Sequence, residues 1–219
     1  MKFTNDEIRS SMLLYAVTDR MWLKPGQTLV DVCQEVLEGG ATFLQIREKD
    51  LDASAFEQEA QALKELCARY RVPFVVNDSV EIALDIDADG VHVGQSDIQG
   101  RDIRAMIGPD KILGISAGTV QEAVAAQQAG ADYIGVGAVF NTSTKQDATS
   151  LSMEQLKEIC ASVSIPVVGI GGINASNLLE LSGSGVDGVA VVSAIFAASD
   201  PKAATAQLLE LSRKMVAHG

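Results

Sequence analysis

The chain has 219 residues, 47% of them apolar and only 5% aromatic, with a formal net charge of -12. That length suits one domain with a substantial core, and the bias toward Ala, Val, Ile and Leu suits parallel strands buried on both faces. The acid excess argues against a nucleic-acid or anionic-membrane surface, either of which needs basic patches to displace counterions. No stretch has the length of an apolar membrane helix, and residues 1–7 lack the hydrophobic core of a signal peptide, so the expectation is a cytosolic protein. Cys33, Cys67 and Cys160 are odd in number and widely spaced, which reads as buried thiols rather than disulfides or a zinc site. With only His92 and His218 available, neither a histidine metal cluster nor a Ser-His-Asp triad has support.

Short apolar strands alternate with helical segments eight times, at 13–18, 43–48, 74–78, 90–94, 112–116, 133–138, 167–171 and 189–194. Helix-start signals fall in the gaps: Thr28 with Asp31, Ser54 with Glu57, Thr119 with Glu122, Ser152 with Gln155, and Asp200 before Pro201. Gly39-Gly40 and Gly130 suit left-handed helix ends. Eight strand-helix units without a linker predict a single-domain α/β fold, the closed (β/α)8 TIM barrel, over residues 1–219, with 1–12 as an N-terminal extension. An open doubly wound sheet is the alternative.

In such a barrel the active site lies at the carboxyl ends of the strands. The run Gln45-Ile46-Arg47-Glu48-Lys49 puts charge where a parallel strand should be apolar. Alternation places Gln45, Arg47 and Lys49 on one face and Leu44 and Ile46 on the other, with Glu48 turned from the trio. Cations facing the barrel interior need an anion, either a ligand or an internal acid; a phosphate suits the Arg fork and the compact Lys charge.

Asp78 and Asp97 stand after adjacent strands and can approach one cation; two hard carboxylates suit Mg2+, which keeps several waters. The plainer reading makes Asp78 a helix cap and Asp97 a turn cap. The glycines of Val168-Gly169-Ile170-Gly171-Gly172-Ile173-Asn174 allow backbone amides to approach a phosphate, and Gly172 with Val192-Ser193, at the end of strand eight, forms a candidate second anion pocket; simple packing relief at a turn is the alternative. Segment 139–151 is a long polar connection that reads as a lid or as a solvated loop. His92 reads as a packed or hydrogen-bonded structural residue.

Gln-Ile-Arg-Glu-Lys at 45–49, Asn77-Asp78, Gly90-Val91-His92-Val93-Gly94-Gln95-Ser96-Asp97 and Thr142-Ser143-Thr144-Lys145, in this order, resemble the thiamine-phosphate synthase family. Gly114-Ile115-Ser116-Ala117, residues 131–137 and residues 168–173 extend the resemblance from about residue 13 to 196. It implies an Mg2+-dependent transferase that joins hydroxymethylpyrimidine diphosphate to thiazole phosphate and releases pyrophosphate. It also implies that Gln45, Ile46, Arg47, Glu48, Lys49, Asn77, Ser116 and Lys145 contact the pyrimidine diphosphate, with Arg47, Lys49, Ser116 and Lys145 catalytic. Asp78 and Asp97 would hold the metal, and Thr142, Ser143, Thr144, Gly172, Val192 and Ser193 the thiazole phosphate. Gly118 stands where many relatives carry His, and Ala138 and Asn141 replace common prolines. A thiazole tautomerase of similar fold and a non-catalytic phosphate-ligand sensor are the competing functions.

Overall fold

The computed structural model describes residues 3–141 and 150–217. Eight parallel strands close into a barrel in chain order: β1 (Leu14–Val17), β2 (Phe43–Ile46), β3 (Phe74–Asn77), β4 (Gly90–Val93), β5 (Ile112–Ala117), β6 (Tyr133–Gly137), β7 (Val167–Ile170) and β8 (Gly188–Val191), with β8 paired back onto β1. The helices are α1 (Asn5–Ser11), α2 (Leu29–Glu38), α3 (Ala53–Tyr70), α4 (Val80–Asp85), α5 (Ile103–Ile107), α6 (Val120–Gln128), α7 (Met153–Ala161), α8 (Ser193–Phe196) and α9 (Pro201–Ala217). This is the (β/α)8 architecture that the strand-helix alternation predicts.

Strand alternation divides the apolar residues into two cores. One face of each strand meets the surrounding helices: Leu14, Ala16, Leu44, Ile46, Phe74, Val76, Val91, Val93, Leu113, Ile115, Ile134 and Val136 are buried there. The other face fills the barrel interior with Tyr15, Val17, Phe43, Val75, Ile112, Tyr133, Val168 and Ala190, capped from below by Ile8 of α1 and by Met12 just after it. The floor is therefore sealed by α1, and the opposite end is left open.

A repeated device pins the strand register at the floor. Thr42, Asp89, Asp132 and Asp187 each stand just before an even-numbered strand and accept a hydrogen bond from the preceding odd strand: Leu14 N to Thr42 Oγ1 at 2.8 Å, Phe74 N to Asp89 Oδ2 at 3.0 Å, Leu113 N to Asp132 Oδ2 at 2.7 Å, and Val167 N to Asp187 Oδ2 at 2.8 Å. Those amides lie at the first or second position of their strands, where a side-chain acceptor satisfies them. Arg104 holds Asp132 at 2.7 Å, and Arg9 of α1 holds Asp187.

The helix starts follow the predicted chemistry with two changes. Thr28 with Asp31 and Ser152 with Gln155 form reciprocal capping boxes. Thr119 caps α6 by accepting from Glu122 N, but the Glu122 carboxylate turns to Gly118 N at 2.7 Å. At α3 the cap is Asp52, which accepts from Ala55 N at 2.9 Å, so the helix starts before the Ser54–Glu57 pair. Between β7 and β8 the connection is a 3-10 turn, Leu178–Leu181, rather than an α-helix. Ser193 opens α8 and does not end β8, which stops at Val191.

Candidate active site

The open end of the barrel contains a cavity of about 690 Å³ lined from all parts of the mouth, including Gln45, Arg47 and Lys49 from the β2 side, Asn77, His92 and Ser116 from β3 to β5, and Gly172, Val192 and Ser193 from β7 and β8. This is the end at which a parallel barrel presents its strand termini and loops. The pocket is large enough for a drug-sized ligand or two small ones in contact.

At β2 the alternation rule decides which residues of 45–49 reach the cavity. Gln45, Arg47 and Lys49 line it. Ile46 does not: it is fully buried in the outer core between barrel and helices. Glu48 does not either, because its side chain, only 1% exposed, points out of the barrel to Arg20 at 2.7 Å. Arg20 also holds Glu59 of α3 at 2.6 Å, so one guanidinium joins the β1 loop, the β2 end and α3. Burial raises the Glu48 carboxyl, opposed by Arg20 and reinforced by Glu59. Its Oε1 atom has no hydrogen-bond partner. Both side chains thus lie behind the pocket wall, and any part these two residues take at the mouth falls to their backbone.

Arg47 is held by its backbone, with Arg47 N donating to Thr18 Oγ1 at 2.9 Å and Thr18 N donating to Gln45 O at 3.0 Å. Among the described residues, neither Arg47 nor Lys49 forms an ion pair with a carboxylate, whereas Arg20 beside them is doubly paired. Two cations at one concave mouth make its β2 side electropositive, with the Asp78 carboxyl close enough to feel the charge of Arg47.

Asp78 follows β3 in the left-handed region, at φ 63°. Burial raises its carboxyl, the charge of Asp97 and a side-chain contact with Asp97 raise it further, and Asn77 and Arg47 act in the opposite direction. The two carboxylates therefore face each other across the β3 and β4 loops. Asp78 does not cap the next helix; Ser79 does, accepting from Ile82 N. Asp97 closes its own turn by accepting from Gly94 N at 2.8 Å. Among the described residues no three His, Cys, Asp or Glu side chains cluster as a metal site. Two carboxylates meet the requirement of Mg2+, which retains most of its waters, and the mutual repulsion at Asp78 is what a divalent ion relieves.

The pocket floor carries a polar chain that the sequence did not disclose. Gln45 Nε2 donates to Tyr15 Oη at 2.5 Å, Tyr15 Oη lies 2.8 Å from Tyr133 Oη, Tyr133 Oη lies 2.9 Å from His92 Nδ1, and His92 Nε2 lies 3.0 Å from Ser116 Oγ. His92 has the hydrogen-bonded role expected of it and also lines the cavity. Burial pushes both phenols well above the usual tyrosine range. Gln95 Nε2 fixes the Ser116 carbonyl at 2.6 Å.

On the far side Gly171 and Gly172 adopt φ of 101° and 69°. A Cβ at Gly172 would lie 2.4 Å from Asn141 O, so both the backbone turn and the close approach exclude a side chain there. Asn177 Nδ2 donates to Gly172 O at 2.9 Å, and no side chain caps the start of α8 after Val192. Gly118 and Ala138 also line the cavity. Thr142, Ser143, Thr144 and Lys145 lie outside the described residues.

Fold and site together define a (β/α)8-barrel enzyme whose pocket sits at the C-terminal mouth. The model of the thiamine monophosphate synthase family matches residues 14–195, and the chain belongs to that family. It is 50% identical over 198 residues to a thiamine-phosphate synthase of Ruminiclostridium cellulolyticum, covering 90% of this chain and 94% of the relative. It is also 50% identical over 197 residues to one of Methanobrevibacter smithii, covering 90% and 93%. The solved structure of thiamine phosphate pyrophosphorylase from Pyrococcus furiosus superposes with a TM-score of 0.87 at 39% identity, covering 95% of this chain and 99% of that one.

Proposed function

We propose that the mouth carries out the thiamine-phosphate synthase reaction as a transferase: the pyrimidinylmethyl group of hydroxymethylpyrimidine diphosphate passes to the ring nitrogen of thiazole phosphate, and pyrophosphate leaves. The observation that carries this reading is Arg47 and Lys49 lining the cavity without carboxylate partners, next to the facing carboxylates Asp78 and Asp97. Arg47 offers a two-pronged donor and Lys49 a compact charge to the diphosphate oxygens. Asn77 and Ser116 supply neutral donors, and Gln45 faces the pyrimidine. Asp78 and Asp97 would hold Mg2+, which when bound adds positive charge at the departing diphosphate.

Gly172, Val192 and Ser193 border the opposite side of the cavity and suit the phosphate of the second substrate. Thr142, Ser143, Thr144 and Lys145 are assigned to the same two anions by their resemblance to the family motif. With the leaving group stabilised and the nucleophilic nitrogen aligned, no enzymic nucleophile is required, so positioning and electrostatics supply the rate. The membership of the family and the 50% identity to named synthases support the assignment.

The test supplies both substrates with and without Mg2+ and follows thiamine phosphate and pyrophosphate together. Both products should form in equal amounts only with the metal. Asp78→Ala, Asp97→Ala and Lys145→Ala should each lower kcat at least ~100-fold while circular dichroism stays unchanged. Binding of both phosphates by the folded protein without product would replace the enzyme reading with that of a ligand sensor.

A further inference from the structure

The hydrogen-bond chain under the pocket can run in either of two directions, and the end of the Gln45 amide that faces Tyr15 selects between them, because each phenol has one proton to give. With Nε2 of Gln45 toward Tyr15, Tyr15 Oη accepts from it, and the polarity in which every member donates once sends the Tyr15 proton to Tyr133. Tyr133 then directs its own proton to His92 Nδ1. An Nδ1 that accepts belongs to the tautomer carrying hydrogen on Nε2, and that N–H donates to Ser116 Oγ. Ser116, which lines the cavity, already accepts from below, so its hydroxyl proton is turned to the ligand.

We infer that Tyr15, Tyr133 and His92 are positioning residues that polarise Ser116 as an outward donor to the departing diphosphate, so that its hydroxyl is oriented before substrate arrives. The inference rests on the diphosphate reading for its catalytic consequence but not for the direction of the chain. The site is built around these side chains. At Gly114 of β5 a Cβ would sit 2.2 Å from Tyr133 Cζ and 2.5 Å from His92 Nδ1, and at Gly135 of β6 it would sit 3.3 Å from His92 Cε1. Two neighbouring strands have surrendered their side chains to leave room for a phenol and an imidazole in hydrogen-bonding contact. A donor aimed in advance at an incipient negative charge costs no reorganisation when the bond breaks.

Reversal of the Gln45 amide would reverse every bond: Tyr15 would donate to Gln45, His92 would carry its hydrogen on Nδ1, and Ser116 would be spent donating to His92. The two polarities differ in one observable. The chain has two histidines, His92 and His218, so histidine labelled with 15N gives two spin systems, with His218→Gln assigning them. The Nε2–H tautomer of His92 at neutral pH in the free protein supports the inference; the Nδ1–H tautomer or an imidazolium overturns it, whether or not the protein makes thiamine phosphate.

The catalytic half is tested separately. Tyr133→Phe should lower kcat about tenfold while leaving both KM values within about twofold, the equivalent of one oriented hydrogen bond lost in the transition state. Tyr15→Phe, which removes only the upstream donor, should give mixed His92 tautomers and an intermediate kcat, and it serves if Tyr133→Phe does not fold. Either variant combined with Ser116→Ala should be no slower than Ser116→Ala alone, because the chain acts through that hydroxyl. An unchanged kcat in Tyr15→Phe and in folded Tyr133→Phe, or additive losses in the double variants, overturns the positioning role.

Discussion

Asp78 combines two costs at one position, a left-handed backbone and a partly desolvated carboxylate facing Asp97. Aspartate and asparagine tolerate that backbone better than other residues with a side chain, so Asp78→Asn keeps the turn while removing the charge. The sign of its effect follows from the raised carboxyl. A folded state that holds its proton more tightly than the unfolded chain loses stability as pH climbs from about 3.9, the free aspartate value, through the raised folded value, and stays lower above it. In the absence of metal, Asp78→Asn should therefore melt about 2 °C above the parent at pH 7, with the difference closing below about pH 4. Saturating Mg2+ should raise the parent's melting temperature and leave the variant's unchanged. Scanning calorimetry across pH, with and without the ion, checks both.

The residue scale also shows how a motif misleads. Alternation places Gln45, Arg47 and Lys49 toward the cavity, as they stand, whereas the motif 45–49 taken as a block includes Ile46 and Glu48, whose side chains face the helices. Tyr15 and Tyr133 went unread because an aromatic residue in an apolar strand has the pattern of ordinary core. The available signal was indirect: buried phenols need partners, and Gly114 and Gly135 left space for them.

Among the elements, strand existence was legible because short apolar runs recur between capped helices, and the closed order β1 to β8 follows from that repetition. The 3-10 turn at Leu178–Leu181 was not, since Asn174 and Asn177 draw the chain into local side-chain turns first. The register pins were present in the letters: Gly-Ala-Thr-Phe at 40–43, Ala-Asp-Gly at 88–90, Gly-Ala-Asp-Tyr at 130–133 and Val-Asp-Gly at 186–188 repeat one short phrase before every second strand. Asp132 shows its worth, accepting from Leu113 N near the start of the neighbouring strand and from Arg104. Asp132→Ala strands both donors and should cost about 2 kcal/mol, whereas Asp132→Asn, which retains an acceptor, should cost less than half as much. Urea midpoints at constant slope would show it.

For the whole molecule, one end is sealed and the other is free to bind. Ile8 of α1 and Met12 at its C-terminal end close the floor in one cluster with Tyr15, Phe43 and Tyr133. The joint Ile8→Ala and Met12→Ala variant should lose more than about 3 kcal/mol and bind the dye ANS while keeping its far-ultraviolet spectrum, because the inner barrel would open to water. Full retention of the parent's unfolding midpoint would show that α1 only rests on the barrel.

The Tyr15 phenol that helps fill the barrel's interior also lines its pocket, and the Tyr133 phenol is hydrogen-bonded to it in the same inner core. Laboratory stabilisation of this protein therefore has an uneven landscape: repacking the inner ring with larger hydrocarbons would trade turnover for heat tolerance, whereas the belt between strands and helices is open to improvement at no catalytic loss.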